Sequence, residues 1–157
     1  MTEPLAPTAT PPATGQSRPA GIVPGWAVWL LRVLVLLTAV LVFLQPVWAG
    51  LFVTGNVGML GLHSAGHIFI SLMLLLQIVA AVLVWRPGGG PSWPVWTSIG
   101  LFLLVGVQAG FGFARVLAVH IPVGVLTFGL TVAMLIAAWS PRLRVRRSEP
   151  RSRGATA

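Results

Sequence analysis

Three histidines, His63, His67 and His120, are the side chains best suited to chemistry in this chain. Neutral imidazole is a common ligand for transition metals and for haem iron. His63 and His67 stand four residues apart, so on a helix they share one face. His120 lies far along the sequence and would come from another helix, so that one histidine from each of two helices could clamp an iron from both sides. The chain has no Cys, which excludes disulfides, thiolate ligation and Cys-held iron–sulfur clusters. Its only acids are Glu3 and Glu149, near the two ends. Carboxylate acid–base catalysis and proton relays therefore lack their usual players, which disfavours an enzyme. The same three histidines could hold Zn²⁺ or Cu²⁺, although no carboxylate is at hand to orient them.

Arg115 precedes His120 by five residues and would pair well with a carboxylate such as a haem propionate. Gln108 falls in the outer half of the third apolar run, and Gln45 and Gln77 also lie within apolar runs, where polar groups are costly unless partnered; Gln108 could face a bound ligand or hydrogen-bond a neighbouring helix. Gly106 and Gly110 form a GxxxG, with Gly112 two residues on. That spacing lets another backbone, or a flat ligand, come close. Met59 is the one methionine near the histidines that could serve as an axial ligand; Met73 and Met134 read as packing residues.

The elements that must position these residues follow from the bulk composition. The 157 residues are 56% hydrophobic and only 8% charged, and the mean hydropathy is +0.92. A soluble chain carries about 25% charged residues, so this one cannot cover a water-facing surface. Four apolar stretches run over about 26–48, 63–85, 94–115 and 117–139. Each has roughly the 20 residues that span a bilayer as a helix, and hydrocarbon admits no open alternative to the helix. Gly55, Asn56, Gly58 and Gly61 separate the first two; Arg86, Pro87, Gly88, Gly89, Gly90 and Pro91 separate the second from the third. The fold class expected is an all-α, four-helix transmembrane bundle over 25–140. Residues 1–24 are rich in Pro, Ala and Thr and residues 141–157 are basic, and both read as disordered tails. Pro122 falls near the start of the fourth helix, where its missing N–H costs little.

All ten basic residues are Arg, and six of them (Arg142, Arg144, Arg146, Arg147, Arg151 and Arg153) crowd the last sixteen positions. Beside an apolar helix such a cluster reads as a topology signal and an attraction to anionic lipid, not as a nucleic-acid site. Arg18, Arg32, Arg86 and the tail fall on one side of the four crossings and Arg115 on the other. The positive-inside rule then predicts a plasma-membrane protein with both termini cytoplasmic. Trp26, Trp29, Trp85, Trp93, Trp96 and Trp139 mark the cytoplasmic interface, and Trp48 the outer one. All three histidines, with Arg115, fall near the outer interface.

Residues Leu62 to Leu130 resemble one half of a haem A synthase, a family built from two four-helix bundles. The likeness rests on a histidine early in the second helix (His67 or His63), on Gln108, Ala109, Gly110, Phe111 and Gly112 in the third, and on Val119, His120, Ile121, Pro122, Val123 and Gly124 in the fourth. The chain is also similar to small four-helix membrane proteins of high-GC bacteria. The haem A synthase resemblance implies haem ligation by His67 or His63 together with His120, on the outer side. Where that family has a Glu one turn before its second-helix histidine, this chain has His63, so the resemblance implies haem b holding and electron transfer, not haem A synthesis. A homodimer could rebuild an eight-helix shape. The competing expectation is a non-enzymatic accessory or scaffold protein, with no cofactor and an incidental histidine layer.

Overall fold

The computed structural model describes residues 25–143, apart from the side chain of Arg142. The two segments expected as disordered tails, 1–24 and all but the first residues of 141–157, lie outside the described residues. Four helices follow one another: α1 (Gly25–Val53), α2 (Met59–Trp85), α3 (Trp93–Phe113) and α4 (Leu117–Trp139). A 3-10 turn, Pro141–Leu143, continues from α4 and buries Leu143. All four helices are long and apolar enough to cross a membrane, and among the described residues there is no strand. Each helix packs on its neighbours in sequence, and α1 closes the ring against α4. The molecule is a four-helix transmembrane bundle in a multi-pass membrane protein.

Helices α1 and α2 are longer than the apolar runs suggested, whereas α4 has the expected bounds and α3 ends two residues early, at Phe113. At about 1.5 Å per residue, the 29 residues of α1 exceed the roughly 30 Å of hydrocarbon. Helix α1 passes through Pro46, whose missing N–H forfeits one ladder bond. It stops at Gly55, where φ is +109°. There Asn56 N–H donates to the Leu51 carbonyl (3.1 Å) and Gly55 N–H to that of Phe52 (3.0 Å). These two bonds make a Schellman ending, which needs a left-handed residue at that place. Helix α3 ends in the same pattern: Val116 N–H donates to Phe111 (2.9 Å) and Arg115 N–H to Gly112 (3.0 Å). Here the left-handed position is filled by Arg115, with φ of +57°. A non-glycine residue in that conformation costs about 1–2 kcal/mol. Pro122 is the sixth residue of α4, beyond the four N–H groups that need no partner, so it too costs a bond.

Each helix buries one stripe at spacings of three and four: Leu31, Leu34, Val35, Thr38 and Val42 in α1, for instance, and Ile70, Leu74, Gln77, Ala81 and Val84 in α2. Burial is uneven along the bundle. The end that carries Gly25, Trp85, Trp93 and Trp139 is closely packed. Toward the other end nothing is fully buried beyond Val42 in α1, before Gly66 in α2, beyond Val105 in α3 or before Thr127 in α4. The histidines lie in this looser half.

In the packed half one polar group ties the four helices together. Gln77, almost fully buried, accepts from Thr38 Oγ1 on α1 (3.2 Å) and donates to Ser98 Oγ on α3 (2.9 Å) and Met134 Sδ on α4 (3.3 Å). Ser98 in turn donates to its own helix at the Pro94 carbonyl (2.6 Å). No buried side-chain nitrogen or oxygen among the described residues is left without a partner.

Candidate functional site at the histidine end

The structure brings His63 and His120 face to edge, with ring centroids 6.0 Å apart and planes at 67°. They come from α2 and α4, helices that do not adjoin in the ring, so the pair sits across the bundle. Each ring is half-buried and is held at Nδ1 by the helix that precedes its own. His120 Nδ1–H donates to the main-chain carbonyl of Gln108 on α3, at 2.8 Å. His63 Nδ1 lies 3.1 Å from the main-chain carbonyl of Gln45 on α1. A histidine whose Nδ1–H is given to a carbonyl carries its lone pair on Nε2, which is the arrangement a metal ligand needs.

The side chains of the same two glutamines lock the hairpins. The Gln108 amide lies over Gly124 of α4, where an added Cβ would come within 2.7 Å of its nitrogen. The His120 ring lies over Gly112 of α3, where a Cβ would meet ring atoms at 2.9 and 3.0 Å. Gln45 lies over Gly66 of α2 beside Trp48. With its amide turned to satisfy both ends, Gln45 donates to the His63 carbonyl (3.1 Å) and accepts from His67 N–H (3.2 Å); its amide nitrogen also lies 2.8 Å from His63 Nδ1, to which it donates only in the tautomer that carries the ring proton on Nε2, the opposite of the one that donates Nδ1–H to the Gln45 carbonyl. Both hairpins thus repeat one device: a glutamine on the first helix, a histidine on the second, and a glycine under the glutamine. The two copies present His63 and His120 to one another.

His67 is placed differently. Its Nδ1 meets the carbonyl of Ser64 in its own helix, and its ring stands edge-on to Phe113 at 5.4 Å. Among the described residues no three of His, Cys, Asp or Glu converge as a metal-holding group. Arg115 is exposed at the turn into α4. Gly106 and Gly110 face outward: beyond the adjoining backbone of α3, an added Cβ at either would meet no atom of the described residues within 4 Å. Gly110 lines a shallow surface groove with Val107, Phe111 and Ala114.

Sequence reading found the three histidines and their shared level, but not Gln45 as a partner of His63, nor the pairing of His63 with His120 in preference to His67. The one signal for Gln45 was a polar residue in an apolar run. No family model, no curated protein and no solved structure matches this chain.

Proposed function

We propose that this is a plasma-membrane haem b protein with an electron-transfer role, holding its iron between His63 and His120 at the outer end of the bundle. The observation that carries the reading is the facing pair itself. With ring centroids 6.0 Å apart, the two imidazoles are close enough that one metal centre could take a nitrogen from each; the rings meet edge to face, so each would turn its Nε2 toward the metal. The Nδ1 contact of His120 supports this, since giving Nδ1–H to the Gln108 carbonyl leaves its Nε2 lone pair for a ligand, and His63 matches it in the tautomer that donates Nδ1–H to the Gln45 carbonyl. The absence of Cys and of acids from residues 25–143 leaves imidazole as the natural donor.

The group would supply one-electron redox chemistry. The chain's own residues do the rest. The Gln108 carbonyl would fix the orientation and tautomer of His120, and Gln45 would hold the ring of His63 in place. The loosely packed helix ends around Trp48 and Phe113 give apolar walls. Arg115 supplies a guanidinium for propionate carboxylates. Arg115 keeps a left-handed backbone where glycine would fit without strain, which is what a residue retained for its side chain does.

Protein purified from haem-replete cells should show a Soret band and a reduced-minus-oxidised difference spectrum. His120→Ala and His63→Ala should each abolish it, and His67→Ala should keep most of it. A colourless wild type ends the proposal. Loss on His67→Ala with retention on His63→Ala would move the ligand to His67.

One observation favours a second reading, an accessory or scaffold role with no cofactor. The GxxxG face of α3, Gly106 and Gly110, is turned outward, where a second copy or another membrane helix could pack closely. In that case alanine at all three histidines would leave partner binding and stability intact.

A further inference from the structure

At the opposite end of the molecule Arg32 stands eight residues into α1, half-buried and within the apolar span. Its Nε–H donates to the carbonyl of Ala138 (3.0 Å), in the last turn of α4. Its guanidinium carbon lies 5.4 Å from the Trp29 ring and 5.7 Å from the Trp139 ring. One N–H is therefore spent on fixing the guanidinium, and two indoles flank it. The remaining N–H groups have no acceptor among the described residues. No carboxylate lies anywhere in residues 25–143, because the only acids are Glu3 and Glu149. Cations at such depth pair with anions or with backbone carbonyls; here the Ala138 carbonyl takes one N–H, and the rest of a guanidinium fork held at one corner is suited to a tetrahedral oxyanion.

Beside it lies a shallow, open apolar depression between α1 and α4, lined by Leu36, Leu135, Ile136 and Trp139. Leu36 is one turn along α1 from Arg32, and Trp139 borders both the guanidinium and the depression. A fixed cation next to an apolar, lipid-facing hollow suits an amphiphile with an anionic head.

We infer that Arg32, Trp29 and Trp139, with the hollow beside them, form a binding site for one anionic phospholipid, with the phosphate on Arg32 and an acyl chain along Leu36, Leu135 and Ile136. The site is distinct from the general attraction of a basic tail, because it requires one arginine in a defined place and an apolar hollow next to it.

The test is native mass spectrometry of the full chain with phosphatidylglycerol or phosphatidylcholine of matched acyl chains. Arg142, Arg144, Arg146, Arg147, Arg151 and Arg153 are first changed to Gln, so that the tail arginines contribute nothing. This parent should retain one phosphatidylglycerol with at least tenfold preference. Arg32→Gln should cut the preference below threefold, and Arg32→Lys should fall between. Ile136→Trp, an exposed position whose larger side chain fills the hollow, should weaken retention with Arg32 intact; it decides the matter if Arg32→Gln fails to fold by circular dichroism. Millimolar inorganic phosphate should not displace the lipid. Equal retention of the two lipids by the parent, unchanged preference in both variants, or displacement by phosphate overturns the proposal. If Glu149 occupies the guanidinium instead, Glu149→Gln will create a preference that the parent lacks, which also overturns it.

Discussion

At the scale of single residues, the histidine end is governed by which atoms are allowed next to His120. Its ring rests on Gly112, and only the missing Cβ lets Nδ1 reach the Gln108 carbonyl at 2.8 Å. Gly110, two residues earlier on α3, faces away from the bundle, and an added Cβ there would meet no neighbouring atom within 4 Å. The two glycines therefore respond oppositely to the same change. Gly112→Ala should force the ring off the carbonyl and cost about 1–3 kcal/mol, the usual penalty of overpacking. Gly110→Ala should be neutral, or stabilising by up to about 1 kcal/mol through helix propensity. Unfolding of both variants by titration with a denaturing detergent measures the difference. Equal losses would mean that α3 is rotated from the orientation described here.

At the scale of elements, four helices that are apolar on every side have little to fix their mutual rotation. Lipid chains are as apolar as leucine, so burial of hydrocarbon does not choose a face. Gln77 does, because its amide finds partners on all three other helices in one register only. Gln77→Leu should cost about 0.6 kcal/mol and no more than about 1.7 kcal/mol, the range measured for hydrogen bonds between membrane helices. The small figure reflects Thr38 and Ser98, whose hydroxyls can fall back on carbonyls of their own helices. A double-mutant cycle of Gln77→Leu with Ser98→Ala should return a coupling of similar size, and a coupling of zero would mean that the node does not hold the helices. The same physics decides how much could be read from sequence. The four spans were legible, because some twenty apolar residues have no other home. The true end of α1 was not, because Trp48 and Pro46 look like a boundary while the Schellman bonds at Gly55 carry the helix on to Val53. Of the α3 glycines whose spacing suggested close packing, Gly106 and Gly110 meet no neighbour and only Gly112 does; the other close approaches between helices fall at Gly66 and Gly124. A helix with no polar face gives no clue to which glycines look inward. The histidine level was legible from depth alone, but the pairing of His63 with His120 depends on rotation about the helix axes, which sequence could not supply.

At the scale of the whole molecule the bundle has two unlike ends. One is tightly packed, ringed by Trp26, Trp29, Trp85, Trp93, Trp96 and Trp139, and carries Arg32 and Arg86. The other is loosely packed and holds the three histidines, with Arg115 as its one charge among the described residues. Arginine is retained on the cytoplasmic side of membrane helices, so the tryptophan end should face the cytoplasm and the histidine end the exterior. That orientation matters for electron transfer, since it would put the His63–His120 pair within reach of donors or acceptors outside the cell. The absence of Cys makes the test clean. Asn56→Cys in the loop between α1 and α2 should react with a membrane-impermeant maleimide on intact cells. Pro87→Cys, in the loop between α2 and α3, should react only after the membrane is opened. Labelling of Pro87→Cys on intact cells, with Asn56→Cys protected, would invert the molecule: the histidine pair would then face the cytoplasm, and the basic residues would lie on the side of the membrane that the positive-inside rule forbids.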